Sequence, residues 1–365
     1  MPDAENIDVL TQDLSSLNLR LASTSEPQVP PLLDDVIFCD DAETLREAIV
    51  ELDTSGTLII DCEGRDLGSL GGALSLISVR ITEPILRTYV FDVIRLGSSL
   101  VPLWSLLSSP GKRKVVFDGR QDHCAMWYGY GVILPNTIDL QLADIRSRET
   151  RGEGEAKQMQ RLMRFFSPKS VNNPRQRHRY KELHLLQGLG GALIEHKVTA
   201  PAKGNVDHDS WMSRPLSDEQ LFYAANDVYL IGSLLAHFEA SNFIDDELFS
   251  QSARYITIWH DFQPDREDTF RSNPFLPLEI LSYEVGTPRK QCAGCKRNLS
   301  SSSFPDNAWY DSGFRPIFCY VCTIIPVWLR RKKFFEDLKE KKKAEKAEKE
   351  RLQREGVVEP GVVTM

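Results

Sequence analysis

The chain has 365 residues, of which 41% are apolar and 26% charged, with a net charge of −8. That length exceeds a typical single domain and leaves ample chain for a core. No run of 18 or more apolar residues occurs, which excludes a helical membrane span as a reading. As a whole-chain sum the acidic balance weighs against a nucleic-acid binder, but binding depends on local patches and a basic groove stays open.

Residues 1–34 are rich in Ser, Thr, Asp, Asn and Pro and read as a disordered arm without a charged-then-apolar leader pattern. The expected compartment is therefore nuclear or cytoplasmic. Asp41-Ala42-Glu43-Thr44-Leu45 opens a helix with an acidic first turn, and Leu45, Ile49 and Leu52 fall at helical spacing. Strand-like runs follow at 57–61, 74–81 and 88–91, a meander with Gly71-Gly72 at its first turn. The first run ends in Asp61-Cys62-Glu63-Gly64. Alternate strand residues share a face, so Asp61 and Glu63 project together. Two adjacent carboxylates resist ionising side by side. Either both are solvated, or a hard divalent cation takes their oxygens.

Further along, 114–117 reads as a strand leading to Asp118 and a helix from about Asp122 to Tyr128. Ile133 suggests a short strand, and a helix begins within the run from Asn136 to Ala143. A meander followed by alternating strands and helices points to an α/β fold on a mixed sheet.

Residues 146–181 hold eleven Lys or Arg against three Glu. Arg161, Arg164, Arg175, Arg177, Arg179 and Lys181 alternate loosely with Phe165, Phe166 and Tyr180. Such a stretch suits single-stranded nucleic acid, phosphates pairing with cations and bases stacking on rings; a solvated insertion is the equal alternative. Residues 183–193 show helical spacing. Ser217 caps a helix from Asp218 that carries Tyr223 and Asp227 four apart, hence on one face.

Two CxxC pairs, Cys292/Cys295 and Cys319/Cys322, are separated by 23 residues. Four thiolates at this spacing read as a closed structural zinc site with a core of Phe304, Trp309, Tyr310 and Phe314 over it. Residues 330–351 are dominated by Lys, Arg and Glu and read as a solvated helical tail, with a nuclear-import or nucleic-acid contact as the alternative.

Asp61-Cys62-Glu63, Asp122 and Tyr223-Ala224-Ala225-Asn226-Asp227 together resemble the three motifs of the DEDD 3′–5′ exonucleases in their tyrosine subgroup. Trp211, Arg214-Pro215-Leu216 and Gln220-Leu221 resemble ribonuclease D, and residues 61–68 the Egalitarian-like branch. The resemblance spans about residues 36–240. It implies a ribonuclease H-like fold, with two magnesium or manganese ions held by Asp61, Glu63, Asp122 and Asp227 and an attacking water oriented by Tyr223. It further implies release of nucleoside 5′-monophosphates from single-stranded RNA or DNA, RNA somewhat favoured. Asp118 is the alternative to Asp122. Asp139 reads as a helix-start or supporting residue, His123 as an ordinary partly buried imidazole, and Cys62 and Cys124 as small packing groups.

The expected division is an arm (1–34), an exonuclease domain (35–242), a packing segment (243–286), a zinc ribbon-like module (287–326) and a charged helical tail (327–365). The competing reading is a non-catalytic RNA-binding or scaffold protein. The zinc module or tail could then engage a protein partner; no membrane partner is expected.

Overall fold

The computed structural model describes residues 35–180, 183–201, 204, 206–305, 309 and 316–354. The arm 1–34, Lys181, Tyr310, Phe314 and the end of the tail lie outside the described residues.

A six-stranded sheet organises the chain. Its strands are β1 (Val36–Cys39), β2 (Thr57–Arg65), β3 (Ala73–Ile81), β4 (Arg87–Asp92), β5 (Arg113–Val116) and β6 (Thr137–Asp139). The order is β1-β4-β3-β2-β5-β6. The expected meander β2-β3-β4 is antiparallel. β5 continues the sheet parallel to β2, β6 lies parallel to β5, and β1 runs parallel to β4. The sheet is thus mixed, as the order of elements in the sequence implies.

Alternation along β2 divides the core into two layers. Leu58, Ile60 and Cys62 face a cluster with Leu45, Ala48 and Leu52 of helix α1 (Ala42–Thr54) and Met126 of helix α2 (Arg120–Tyr130). Ile59 faces the opposite cluster, with helices α3 (Leu140–Thr150), α4 (Leu189–Glu195), α5 (Asp218–Ala240) and α6 (Asp246–Ile256). The side-chain period of two sends Asp61 and Glu63 toward this second layer. Helix α6 belongs to the same core through Leu248 and Tyr255. No helix among the described residues is long and apolar enough to cross a membrane.

Two local expectations are corrected. Ile133 lies outside any strand; β6 is instead Thr137–Asp139, and α3 starts at Leu140 rather than near Asn136. β-Branched Thr137 and Ile138 pair with β5, and the Asp139 carboxylate then accepts the Gln141 N–H at 2.9 Å to cap the helix. Residues 183–186 are not helical. The Leu186 N–H donates to the Pro274 carbonyl at 2.7 Å, and the Leu276 N–H to the His184 carbonyl at 2.9 Å, so this backbone is spent on a long-range bridge. The basic stretch, left open at the sequence level, carries helix α7, the segment Glu155–Leu162 that precedes α4 in the chain, and a short helix at Pro168–Val171.

That insertion does not stand alone. Met159, Leu162, Phe166, Val171 and Tyr180 share one core with Cys292, Leu299, Phe304, Cys319, Cys322, Ile324, Ile325 and Trp328. Phe275 is the joint: it stacks on Phe166 at 5.7 Å and meets Trp328 edge-on at 6.2 Å. Helix α8 (Tyr320–Arg354) carries Cys322 in its first turn and runs on into the charged tail.

Candidate active site and candidate metal centres

The acidic site forms where β2 ends against α5. Carboxylate oxygens of Asp61, Glu63 and Asp227 lie within 4.8 Å of one another. Glu63 and Asp227 are buried, at 8% and 4% exposure. The strand register slips between Glu63 and Gly64. A Cβ at Gly64 would come within 2.1 Å of the Ala73 carbonyl oxygen, so a glycine must follow Glu63 for the strands to close there.

Asp122 is not part of that 4.8 Å group. It is buried in the first turn of α2, where its carboxylate accepts the Cys62 backbone N–H and meets the Cys62 thiol. Burial, then the charges of Asp61, Asp118 and Asp139, push its pKa up. Three carboxylates therefore converge, while the fourth sits beside the next residue of β2, near enough for the Asp61 charge to act on it. Asp118 is engaged elsewhere, accepting both arms of Arg120 at 2.5 and 2.8 Å. Asp139 supports the turn before α2, accepting the Asp118 and Gly119 N–H groups at 3.1 and 2.9 Å. Burial raises its pKa to about 7 despite these bonds.

An oxygen-only donor set, largely buried and crowded with like charge, fits hard divalent cations. Nothing in it suits a soft metal or an organic cofactor.

Tyr223 stands one turn before Asp227 on α5 and is 5% exposed. Its ring packs on Trp211 at 5.9 Å and meets His208 edge-on, also at 5.9 Å. The Trp211 indole N–H donates to His208 Nδ1 at 3.2 Å. That bond assigns the His208 proton to Nε2 in the neutral ring. His208 escapes sequence reading, because only the 3-10 turn His208–Met212 brings it to a helix residue 15 positions later. His123, in contrast, is a core imidazole, 2% exposed and beside His260, with its pKa driven down to about 4 by burial and then by His260. Cys62 and Cys124 are buried packing groups.

Arg214 fixes this wall of the site. It donates to fully buried Asp92 at 2.6 and 2.8 Å and to the Trp211 carbonyl at 2.9 Å. Arg214→Ala leaves that carboxylate without its ion partner, so a loss of about 3 kcal/mol is expected, read as a lower denaturant midpoint.

The four cysteines also converge, their Sγ atoms within 4.8 Å of one another. A β-hairpin, β7 (Arg289–Gln291) with β8 (Asn298–Ser300), presents Cys292 and Cys295. The Cys319 backbone N–H donates to Cys292 Sγ at 3.3 Å, and hydrogen bonds from the other three cysteines lower the Cys292 pKa. A Cβ on Gly294 would lie 2.8 Å from Cys322 Sγ, so the glycine permits close approach of the second knuckle. Phe304 and Trp309, their ring centroids 5.6 Å apart, pack in the same core as the cysteines. Four convergent sulfurs fit zinc, with no position left open for chemistry.

The basic stretch departs from the sequence reading. Phe166 and Tyr180 are 1% and 4% exposed and are core residues, not stacking platforms. Arg161 is also buried, held by Glu153 at 2.9 and 3.0 Å and by Glu195 at 2.5 and 2.9 Å, so it offers no phosphate contact. Arg177 pairs with Glu155 at 3.1 Å. Arg164, Arg175 and Arg179 are exposed. Lys181 lies outside the described residues.

Residues 36–241 match a family model described as 3′–5′ exonuclease. Among solved structures, ribonuclease D of Trypanosoma brucei in complex with RNA U12 is similar at 21% identity, covering 67% of this chain and 77% of that one, with a TM-score of 0.50. Ribonuclease D of Escherichia coli is 18% identical over 65% of this chain and 53% of that chain, with a TM-score of 0.40. The Nibbler EXO domain of Aedes aegypti is 16% identical over 67% of this chain and 96% of that chain, with a TM-score of 0.38. No curated protein matches the sequence.

Proposed function

The chain belongs to the 3′–5′ exonuclease family, and on that premise we propose that it hydrolyses single-stranded nucleic acid from the 3′ end with two divalent ions. RNA is the favoured substrate and nucleoside 5′-monophosphates are the products. The observation that carries this reading is the meeting of Asp61, Glu63 and Asp227 within 4.8 Å, with Asp122 held on the backbone N–H of Cys62 between the first two.

Asp61, Glu63 and Asp227 would hold one ion, and Asp61 with Asp122 the second. Bound there, such ions supply the charge that acidifies a water and neutralises the leaving 3′ oxygen in an in-line displacement. The protein's own part is positional. The Tyr223 hydroxyl orients the attacking water, and Trp211 fixes the ring that presents it. His208 offers an Nε2–H donor beside the same ring, and we assign it to a substrate phosphate. The fit to RNA rests on the resemblance to ribonuclease D; its Trypanosoma relative is known in complex with RNA U12.

The test is a time course on 5′-labelled single-stranded RNA and DNA with magnesium, manganese or EDTA. A ladder that shortens from the 3′ end and requires metal supports the proposal. Binding of either strand without cleavage favours the non-catalytic reading. Tyr223→Phe is expected to lower kcat on the order of 100-fold with little change in KM, since a misplaced water costs rate more than affinity.

A further inference from the structure

We propose that the insertion and the four-cysteine module act together as a docking surface for the single-stranded tract that lies 5′ of the nucleotide being removed. The proposal rests on the exonuclease reading for its polyanion, but its surface is remote in sequence from every residue of the acidic site.

The first observation is charge. Residues 155–185 hold eight Lys or Arg against two Glu, and residues 287–333 hold nine against two Asp, in a chain whose net charge is −8. The remainder is therefore strongly acidic. The second observation is that these two segments, separated by about a hundred residues of sequence, are one body. Phe166, Tyr180, Phe304, Trp328, Cys292, Cys319 and Cys322 lie in a single buried cluster, with Cys295 packed against it. Folding of the module thus gathers two basic segments that sequence order keeps apart.

The third observation is which cations are available. Arg164, Arg175, Arg179, Lys296, Arg330 and Lys333 are exposed and make no ion pair among the described residues. Arg161 and Arg289, in contrast, are spent on Glu153, Glu195 and Glu279. Charges more than about 8 Å apart are screened at physiological salt, so the acidic remainder of the protein does not cancel this field locally. Phe166, Tyr180, Phe304 and Trp328 are inside, and these cations are exposed, so phosphates are gripped before bases. The surface therefore binds without sequence preference and with strong salt dependence. It also supplies what the catalytic half lacks, since a largely acidic body repels a polyanion outside its metal site.

Two triple variants of the full chain test this, each on the Asp61→Ala background so that the strand survives. One carries Arg164→Ala, Arg175→Ala and Arg179→Ala; the other carries Lys296→Ala, Arg330→Ala and Lys333→Ala. Binding of fluorescein-labelled oligouridylates of 5 to 30 nucleotides is followed by anisotropy across a salt series. Each variant is expected to weaken the 30-mer about 10-fold and to reduce the salt slope by about two, with a deficit that grows with strand length. Unchanged affinity and slope in both variants overturn the proposal. So does a deficit equal at all lengths, which would place these residues at the acidic site. Failure of the parent enzyme to cleave any strand would sink the exonuclease reading alone, because the length-dependent deficit is measured without turnover.

Discussion

Replacing Asp61 and Glu63 together by alanine is expected to abolish hydrolysis, by on the order of 10³-fold or more, while nucleic-acid binding is largely retained. The size follows from what the pair does. Both carboxylates point to the face of β2 that meets Asp227 on α5, so their loss removes two of three convergent oxygen donors. Charge stabilisation by bound ions is worth several kcal/mol in a phosphoryl displacement, and each 1.36 kcal/mol is tenfold in rate. Stability should move the other way. Without metal the crowded carboxylates repel, so in EDTA the double variant should melt a few degrees above the parent, about 1 kcal/mol being worth roughly 2–4 °C at this size. Magnesium or manganese should then raise the melting temperature of the parent and leave the variant unmoved. A variant that cuts at the parental rate, or still gains stability from magnesium, would remove these two residues from the site.

The parts legible in the sequence are those whose geometry is local. Asp61 and Glu63 share a face because a strand repeats every two residues, and Tyr223 and Asp227 because a helix repeats every three to four. The cysteine pairs announce themselves by spacing alone. What stays hidden depends on partners distant in sequence. Strand β6 is three residues long and exists because β5 is beside it. Asp122 comes to β2 from a separate helix and meets the Cys62 backbone N–H, which only the tertiary fold decides. Phe166 and Tyr180 look like rings for stacking bases until a module more than a hundred residues later covers them. Arg161 looks like a phosphate ligand until Glu153 and Glu195 close on it. Burial works against ionised Glu195, yet hydrogen bonds from Arg161 and Arg151 hold its pKa well below the usual carboxylate range. Its contribution to stability is therefore present above the unfolded carboxylate pKa and fades as the pH falls below it.

Cys292→Ser is the second large effect, and its reach extends beyond the module. The expected primary result is loss of bound zinc, from one ion per chain to a small fraction. Structural zinc contributes about 10–16 kcal/mol of apparent binding energy in small domains, which is folding energy for the unit that holds it. Here that unit includes the insertion. The thiols are buried in the same cluster as Met159, Leu162, Phe166 and Tyr180, and Phe275 joins the two halves. Hydrogen-exchange protection should therefore fall not only in 288–326 but also across 155–185, by on the order of 100-fold, equivalent to about 3 kcal/mol. Strands β2 to β5 pack in separate clusters and should keep their protection. Unchanged zinc stoichiometry would remove the four-thiolate site. Zinc loss with full protection retained in 155–185 would show that the insertion holds its shape through α3 and α4 alone, by way of the Arg161 network, and that the shared core is a contact rather than a dependence.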